Sequence, residues 1–197
     1  EAAKKSIIGG VVEFSGVTVL SRQFDFDINH VGLRGKSASA TIVTNFPTST
    51  AVPILFALGS AAKWATSFAT CTYRADIKNI RVLRQTGSNR CYAFVGSGIR
   101  YYNFENINVT DSFCAIYLEN TSECTFKSVT TAGGFYGIIC DGSYNTVSPL
   151  GFQKSANDCS NNTFIQTNIG FVMTSGIVLN SCRQNRFFGG WMGSWGS

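Results

Sequence analysis

Charge is scarce in this chain: Asp, Glu, Lys and Arg together make up 14 % of 197 residues, and the net charge is +5. No basic run gathers the positive residues, so the sequence carries no electrostatic footprint for nucleic acid. Proline is limited to 3 residues and histidine to one, His30. With a single His and no Cys-x-x-Cys pair, no ligand set for zinc is present, and no metal or cofactor is expected. No apolar segment reaches the roughly 18 uncharged residues of a spanning helix, so membrane insertion is not expected. The 7 Cys are an odd number, so at least one thiol lies outside any intrachain pair. Their spacing is not that of a small disulfide scaffold, and they read as buried thiols behaving like small apolar groups.

What is plentiful is strand and turn material: 44 % hydrophobic residues, 20 Gly, and frequent Asn, Ser and Thr. It is arranged periodically from Ile77 to Met192. The segments starting at Ala93, Ala115 and Gly137 share one pattern, each 22 residues after the last, and a fourth starts at Gly176, roughly two shorter steps later. A second column starts at Ile77, Phe104, Phe126, Val147, Phe164 and Phe187. Its members open on a large apolar residue and mostly repeat one at the fourth or sixth place. Periods of about 20 to 50 residues mark architectures in which each unit buries its apolar face only against its neighbours.

The absence of helical periodicity and the polar turns between short apolar segments point to strands. One turn of chain per repeat sets successive strands parallel, about 4.8 Å apart. The expected fold is all-β, a single-stranded parallel β-helix with repeats of about 22 residues, right-handed by the usual crossover preference. One domain spans 1–197, and the open apolar pattern of Phe187 to Ser197, with Trp191 and Trp195, leads us to expect a continuation beyond Ser197. The longest step, from Ile77 to Phe104, is assigned to an insertion between Val82 and Cys91. Cys159 and Cys182, each five residues before a Phe, are expected on neighbouring repeats. Asn145, Asn162 and Asn185 are expected to form a ladder satisfying turn amides, with Phe104 on Phe126 and Phe164 on Phe187 stacked in the core.

The N-terminal third carries the most specific resemblance. Gly9 to Leu20 reads as glycines, a short apolar strand, a Gly turn and another strand. Val31-Gly32-Leu33-Arg34-Gly35 followed by Ser39-Ala40-Thr41-Ile42-Val43 is similar to a leucine-arginine-glycine then alanine-threonine-isoleucine signature. On these residues the chain resembles the pectin-lyase-like right-handed β-helices, and among them the bacteriophage tailspikes and capsule depolymerases. The resemblance implies a homotrimer on the virion tail that binds bacterial surface polysaccharide, capsule or O-antigen, and cleaves it at the host surface.

In such a repeat, chemistry is carried by columns of outward side chains. One column reads Ser97, Glu119, Asp141, Asn180, making Glu119 and Asp141 near neighbours, as a carboxylate pair for glycoside hydrolysis would be. Both also fit as plain turn residues. Asp111, in Thr110-Asp111-Ser112-Phe113-Cys114, resembles a weakened form of the glycine-aspartate-aspartate-cysteine stretch of polygalacturonases. Arg100 and Tyr101 offer a cation and a phenol for lyase chemistry. Tyr117, Tyr136, Trp191 and Trp195, expected to be exposed, are candidates for stacking on sugars. The polygalacturonases' glycine-histidine-glycine and arginine-isoleucine-lysine motifs, the pectate lyases' arginine motif and the mannuronan epimerases' aspartate-proline-histidine are absent, which disfavours a secreted pectinase. A non-catalytic adhesin or structural virion fibre is the alternative on the same scaffold.

Overall fold

The computed structural model describes residues 10–26, 31–37, 40–49, 51–59, 72–143, 146–151 and 159–193. His30, Asn145 and Trp195 lie outside the described residues. Within them the chain is all-β: seventeen strands in a sheet of thirteen and a sheet of four, with no helix. Every strand pair is parallel, and one isolated bridge, Phe46 to Asn89, is antiparallel.

Four ladders account for the pairing. The first joins β1 (Gly10–Phe14), β4 (Val31–Gly35), β8 (Asp76–Arg84), β11 (Asn103–Glu119), β13 (Thr125–Asp141), β15 (Thr163–Gly170) and β17 (Arg186–Gly193). The second sets β2 (Val17–Leu20) and β5 (Thr41–Thr44) on the second half of β8. The third runs from β3 (Phe24–Phe26) through β6 (Ile54–Leu58) and β9 (Tyr92–Ser97) to the C-terminal parts of β11 and β13 and then β16 (Ser175–Asn180). Short strands form the fourth: β7 (Thr72–Tyr73), β10 (Ile99–Arg100), β12 (Thr121–Ser122) and β14 (Cys159–Ser160).

The register carries the sequence periodicity. Phe94, Ile116, Ile138 and Ile177 pair in turn, as do Ile77, Phe104, Phe126, Phe164 and Phe187. Leu83 pairs with Thr110 and Tyr92 with Cys114, so the extra length of the longest step does fall between them. One expectation fails. The stretch from Val147 is not a further member of the column, because Phe126 pairs directly with Phe164. The gap from Gly137 to Gly176 is likewise a single step, since Ile138 pairs with Ile177. Pro149 lies in the middle of that stretch and has no N–H for a ladder.

Apolar residues at the first and fourth places of a segment would face opposite sides of a regular strand. The backbone resolves this with a left-handed residue at the third place: Asn79, Asn106, Ser128, Gln166 and Gly189 all have φ between 51° and 62°. The bend turns Phe104, Ile107 and Val109 to the same interior, leaving Glu105 and Asn108 partly exposed and Asn106 exposed. A second left-handed column follows the fourth ladder: Arg74, Tyr101, Glu123, Asn161 and Gln184.

The main core is one continuous column. Phe104, Phe126, Phe164 and Phe187 stack with ring centroids 4.5, 4.7 and 4.5 Å apart. Beside it, Asn162 Oδ1 accepts from Cys124 N, and its Nδ2 donates to Thr121 O at 3.0 Å. Asn185 repeats this, accepting from Asn162 N and donating to Cys159 O. The six described cysteines are free thiols. Burial pushes Cys91 and Cys124 up to about 12, so neither is a nucleophile near neutral pH.

Candidate functional site

The third ladder has a second, smaller core on the face away from the phenylalanine stack. Ile54, Ala57, Val95, Cys114 and Tyr117 are buried there, with Tyr92, Phe113, Tyr136, Ile139 and Leu150 packed against them. From Phe94, Ile116 and Ile138 onward simple alternation holds, with Val95, Tyr117 and Ile139 on this outer face and Leu118 and Cys140 inside, whereas Tyr92, Cys114 and Tyr136 share the outer face with the residues three places on. Leu150 belongs to the connection 146–151, which lies over this face.

The carboxylate row sits at one edge of that face. Glu119 pairs with Ser97, and Asp141 with Asn180. Because Leu118 pairs with Cys140, Glu119 and Asp141 are adjacent across the β11–β13 ladder. The row grades from buried to open: Ser97 and Glu119 are 0 % exposed, Asp141 is half-buried and Asn180 is exposed. Ser148 Oγ donates to Glu119 Oε1 at 2.5 Å, and Leu150 N donates to Ser148 Oγ at 3.1 Å, so the connection is latched onto the carboxyl. Asp141 Oδ2 accepts from Tyr117 Oη at 2.7 Å, and its Oδ1 accepts from Ser143 N at 3.0 Å.

Tyr117 is 6 % exposed, which corrects the expectation of an open stacking ring: the connection and the aromatic cluster cover it. Burial raises its phenol well above the usual value, and the charges of Glu119 and Asp141 and the hydrogen bond to Asp141 add to the effect. Tyr92, against Tyr117 with ring centroids 5.8 Å apart, is pushed up to about 12, first by burial and then by Cys114, Tyr136 and Glu119. Both phenols are therefore proton donors, not bases, at neutral pH. Tyr136 is half-buried, not exposed as expected, its ring 5.7 Å from that of Phe113.

Asp111 lies apart from this row, at a left-handed position with φ 58°. Arg84 donates to its Oδ2 through Nε at 2.7 Å and lies 2.7 Å away through Nη2, while Arg90 Nε donates to Oδ1 at 2.7 Å. Burial acts to raise its pKa, yet the two guanidinium groups outweigh that and hold the carboxyl below its usual range. Arg84 Nη1 also reaches Ser88 O, and the Arg90 guanidinium lies over the Phe135 ring at 5.2 Å. These contacts make Asp111 the anchor of the 85–91 insertion.

Arg100 and Tyr101 lie at the corner after the fourth ladder. Arg100 donates to Ser122 Oγ at 2.8 Å and to Glu123 Oε2 at 3.1 Å. Tyr101 is 45 % exposed. Trp191 is 54 % exposed on β17, its ring 6.5 Å from that of Phe171. The structure thus brings together Glu119, Asp141, Tyr117 and Tyr136, and keeps Asp111, Arg100, Tyr101 and Trp191 elsewhere. Sequence reading missed Ser148, whose segment imitates the apolar column, and the partners of Asp111. Arg84 and Arg90 flanking one insertion were the available signal for the latter.

Among the described residues no group of three or more His, Cys, Asp or Glu could hold a metal ion, and no helix is long and apolar enough to cross a membrane. No protein-family model, curated protein or solved structure matches this chain.

Proposed function

We propose that this chain is a right-handed parallel β-helix of the phage tailspike kind that binds bacterial surface polysaccharide and hydrolyses its glycosidic bonds at the Glu119–Asp141 pair. Support for the fold comes from four all-parallel ladders in one repeating order, separated by recurring left-handed corners. A homotrimer on the virion tail, acting at the host surface, goes with the same reading through the sequence resemblance.

The observation that carries the chemistry is two outward carboxyl groups on adjacent parallel strands, one of them hydrogen-bonded to a buried phenol. Parallel backbones lie about 4.8 Å apart, so side chains at matched places on neighbouring strands can reach one sugar, and the stereochemical outcome reads the separation of the two carboxyl groups. Asp141, half-open and accepting two hydrogen bonds, attacks the anomeric carbon. Glu119 protonates the departing glycosidic oxygen. Water then releases the sugar from Asp141, with Glu119 taking its proton. Access to Glu119 requires the Ser148 connection to lift.

The test is reducing-end release from a panel of capsule and O-antigen polysaccharides, with unsaturated-uronate absorbance read in parallel. Cleavage with retained anomeric configuration, lost in Glu119→Gln/Asp141→Asn, is expected. Ultraviolet gain would replace hydrolysis with elimination and turn attention to Arg100 and Tyr101. A non-catalytic adhesin is the second reading, favoured by one observation: Glu119 is fully buried under Ser148. Binding without any cleavage would decide for it.

A further inference from the structure

A hollow of about 420 Å³ opens beside Tyr101, away from the carboxylate row, and is lined by Gly10, Gly32, Arg74, Asp76 and Tyr101 among others. Its volume falls within the roughly 300–1,000 Å³ of small-ligand sites. We propose that it binds a carboxylated sugar unit, a uronic or sialic acid residue of an anionic polysaccharide. The proposal rests on the polysaccharide-binding part of the reading above and not on cleavage.

Each wall contributes a different interaction. Arg74 and Tyr101 stand at equivalent places on neighbouring repeats, because Tyr73 pairs with Arg100. The Arg74 guanidinium lies 5.9 Å from the Tyr101 ring centroid, and that of Arg100 lies 5.8 Å away on the same ring. The two cations differ in one respect. Arg100 is matched by Glu123 at 3.1 Å, whereas among the described residues no carboxylate forms an ion pair with Arg74. A guanidinium resting on an aromatic ring is oriented without using up its N–H fork, which suits bidentate pairing with a carboxylate. Tyr101, 45 % exposed, lines the same hollow.

Asp76 supplies the acceptors for hydroxyl groups. Its Oδ1 accepts from Asn103 Nδ2 at 3.3 Å and its Oδ2 lies 3.3 Å from Lys78 Nζ, and each carboxylate oxygen can accept a further hydrogen bond. Gly32, also on the lining, is required by close backbone packing: a Cβ there would sit 2.6 Å from the Asp76 carbonyl oxygen. A cation without a carboxylate partner among the described residues, an aromatic ring beneath it and a fixed acceptor together suit an acidic sugar better than a neutral one. A neutral sugar would leave Arg74 unused.

Titration calorimetry tests this with oligomers containing glucuronate, galacturonate or sialate, each beside its carboxyl-reduced form. At least one acidic oligomer should bind, and its reduced form about tenfold or more weaker, as losing a hydrogen-bonded charge implies. Arg74→Gln and Tyr101→Ala should each weaken the acidic oligomer about tenfold at unchanged melting temperature. Arg81→Gln, removing an exposed cation on another ladder, should leave affinity within about twofold. Equal binding of acidic and reduced chains, no effect of Arg74→Gln, an equal effect of Arg81→Gln, or no binding of any acidic oligomer would each overturn the proposal. Wild-type protein that binds an acidic oligomer and loses that binding in Arg74→Gln, but cleaves no polymer, removes the hydrolase and leaves this site standing.

Discussion

Asp111→Asn separates a structural carboxylate from a catalytic one. The wild-type carboxyl takes three contacts of 2.7 Å from two arginines. A fully buried charge-assisted hydrogen bond contributes about 1.5–3 kcal/mol, and an exposed ion pair about 0–1 kcal/mol. Here the Asp111 side chain is 32 % exposed and the Arg84 and Arg90 side chains 20 % and 31 %, so solvent screens the pairs and each arginine is assigned about 1 kcal/mol. The variant should therefore lose about 2 kcal/mol at pH 7. With a urea slope of about 2 kcal/mol per M for a domain of this size, the unfolding midpoint falls by about 1 M.

The pH dependence gives that number a sign. A carboxyl whose pKa is lowered by folding contributes stability above its unfolded value, near 3.9, and loses it as pH falls through the folded value. Wild-type and variant midpoints should therefore stand apart at pH 7 and converge in acid, as pH falls through the lowered folded-state value. A loss smaller than about 0.5 kcal/mol at pH 7, or a gap that persists unchanged in acid, would refute the ion-pair account. Cleavage that collapses in Asp111→Asn while the midpoint stays put would instead make Asp111 part of the chemistry.

Four further perturbations probe the scaffold. Phe126→Ala removes a 0 % exposed ring stacked between Phe104 and Phe164, and should cost about 3–5 kcal/mol in urea unfolding; a loss under about 1.5 kcal/mol would contradict the continuous stack. Gly134→Ala, at φ 87° with a Cβ that would fall 1.9 Å from Ser112 O, should abolish soluble folded protein. Gly87→Ala, at φ 84° with nothing within 4 Å, should cost only the roughly 1–2 kcal/mol of a left-handed alanine. In alkaline titration at 295 nm, fewer than the full set of 7 tyrosines should ionise by pH 11, because burial holds Tyr92 and Tyr117 protonated. Since those phenols have raised values in the folded state, stability should fall as pH rises from about 10 toward 12, and a complete titration of the native protein at pH 11 would contradict the covered cluster.

The repeat was legible because its strongest signal, a large aromatic residue opening each segment, is also its strongest packing interaction. Phe104, Phe126, Phe164 and Phe187 mark the register in the sequence and hold it in the core. Asn162 and Asn185 were legible for the same reason, an identical residue meeting an identical amide one repeat later. The bend at the third place was hidden. Asn, Ser, Gln and Gly all occupy it, since the requirement is a backbone angle and not a side chain. The stretch from Val147 misled because its apolar spacing imitates the column, and only Pro149 hinted otherwise. At the site, alignment of Glu119 with Asp141 followed from counting residues. Burial of Glu119 and Tyr117 did not, because it depends on a connection whose length carries no information about where it lies.

That connection is what divides the two readings of the site. Lifting it breaks the hydrogen bond between Ser148 and a buried carboxyl, about 1.5–3 kcal/mol, and withdraws the half-buried Leu150 from the aromatic cluster, about 1 kcal/mol more. An opening that costs about 2.5–4 kcal/mol leaves on the order of 1 % of molecules or fewer open at any moment. A binding protein has no use for such an opening, and the closed latch simply completes the second core. A hydrolase needs it at each turnover, unless contacts with the polymer offset the cost. Binding contacts outside the row, such as those proposed at Tyr101 and Arg74, are where that offset would have to come from. A long polymer can engage both places at once, whereas a short oligomer cannot, so cleavage should depend on chain length far more steeply than binding does.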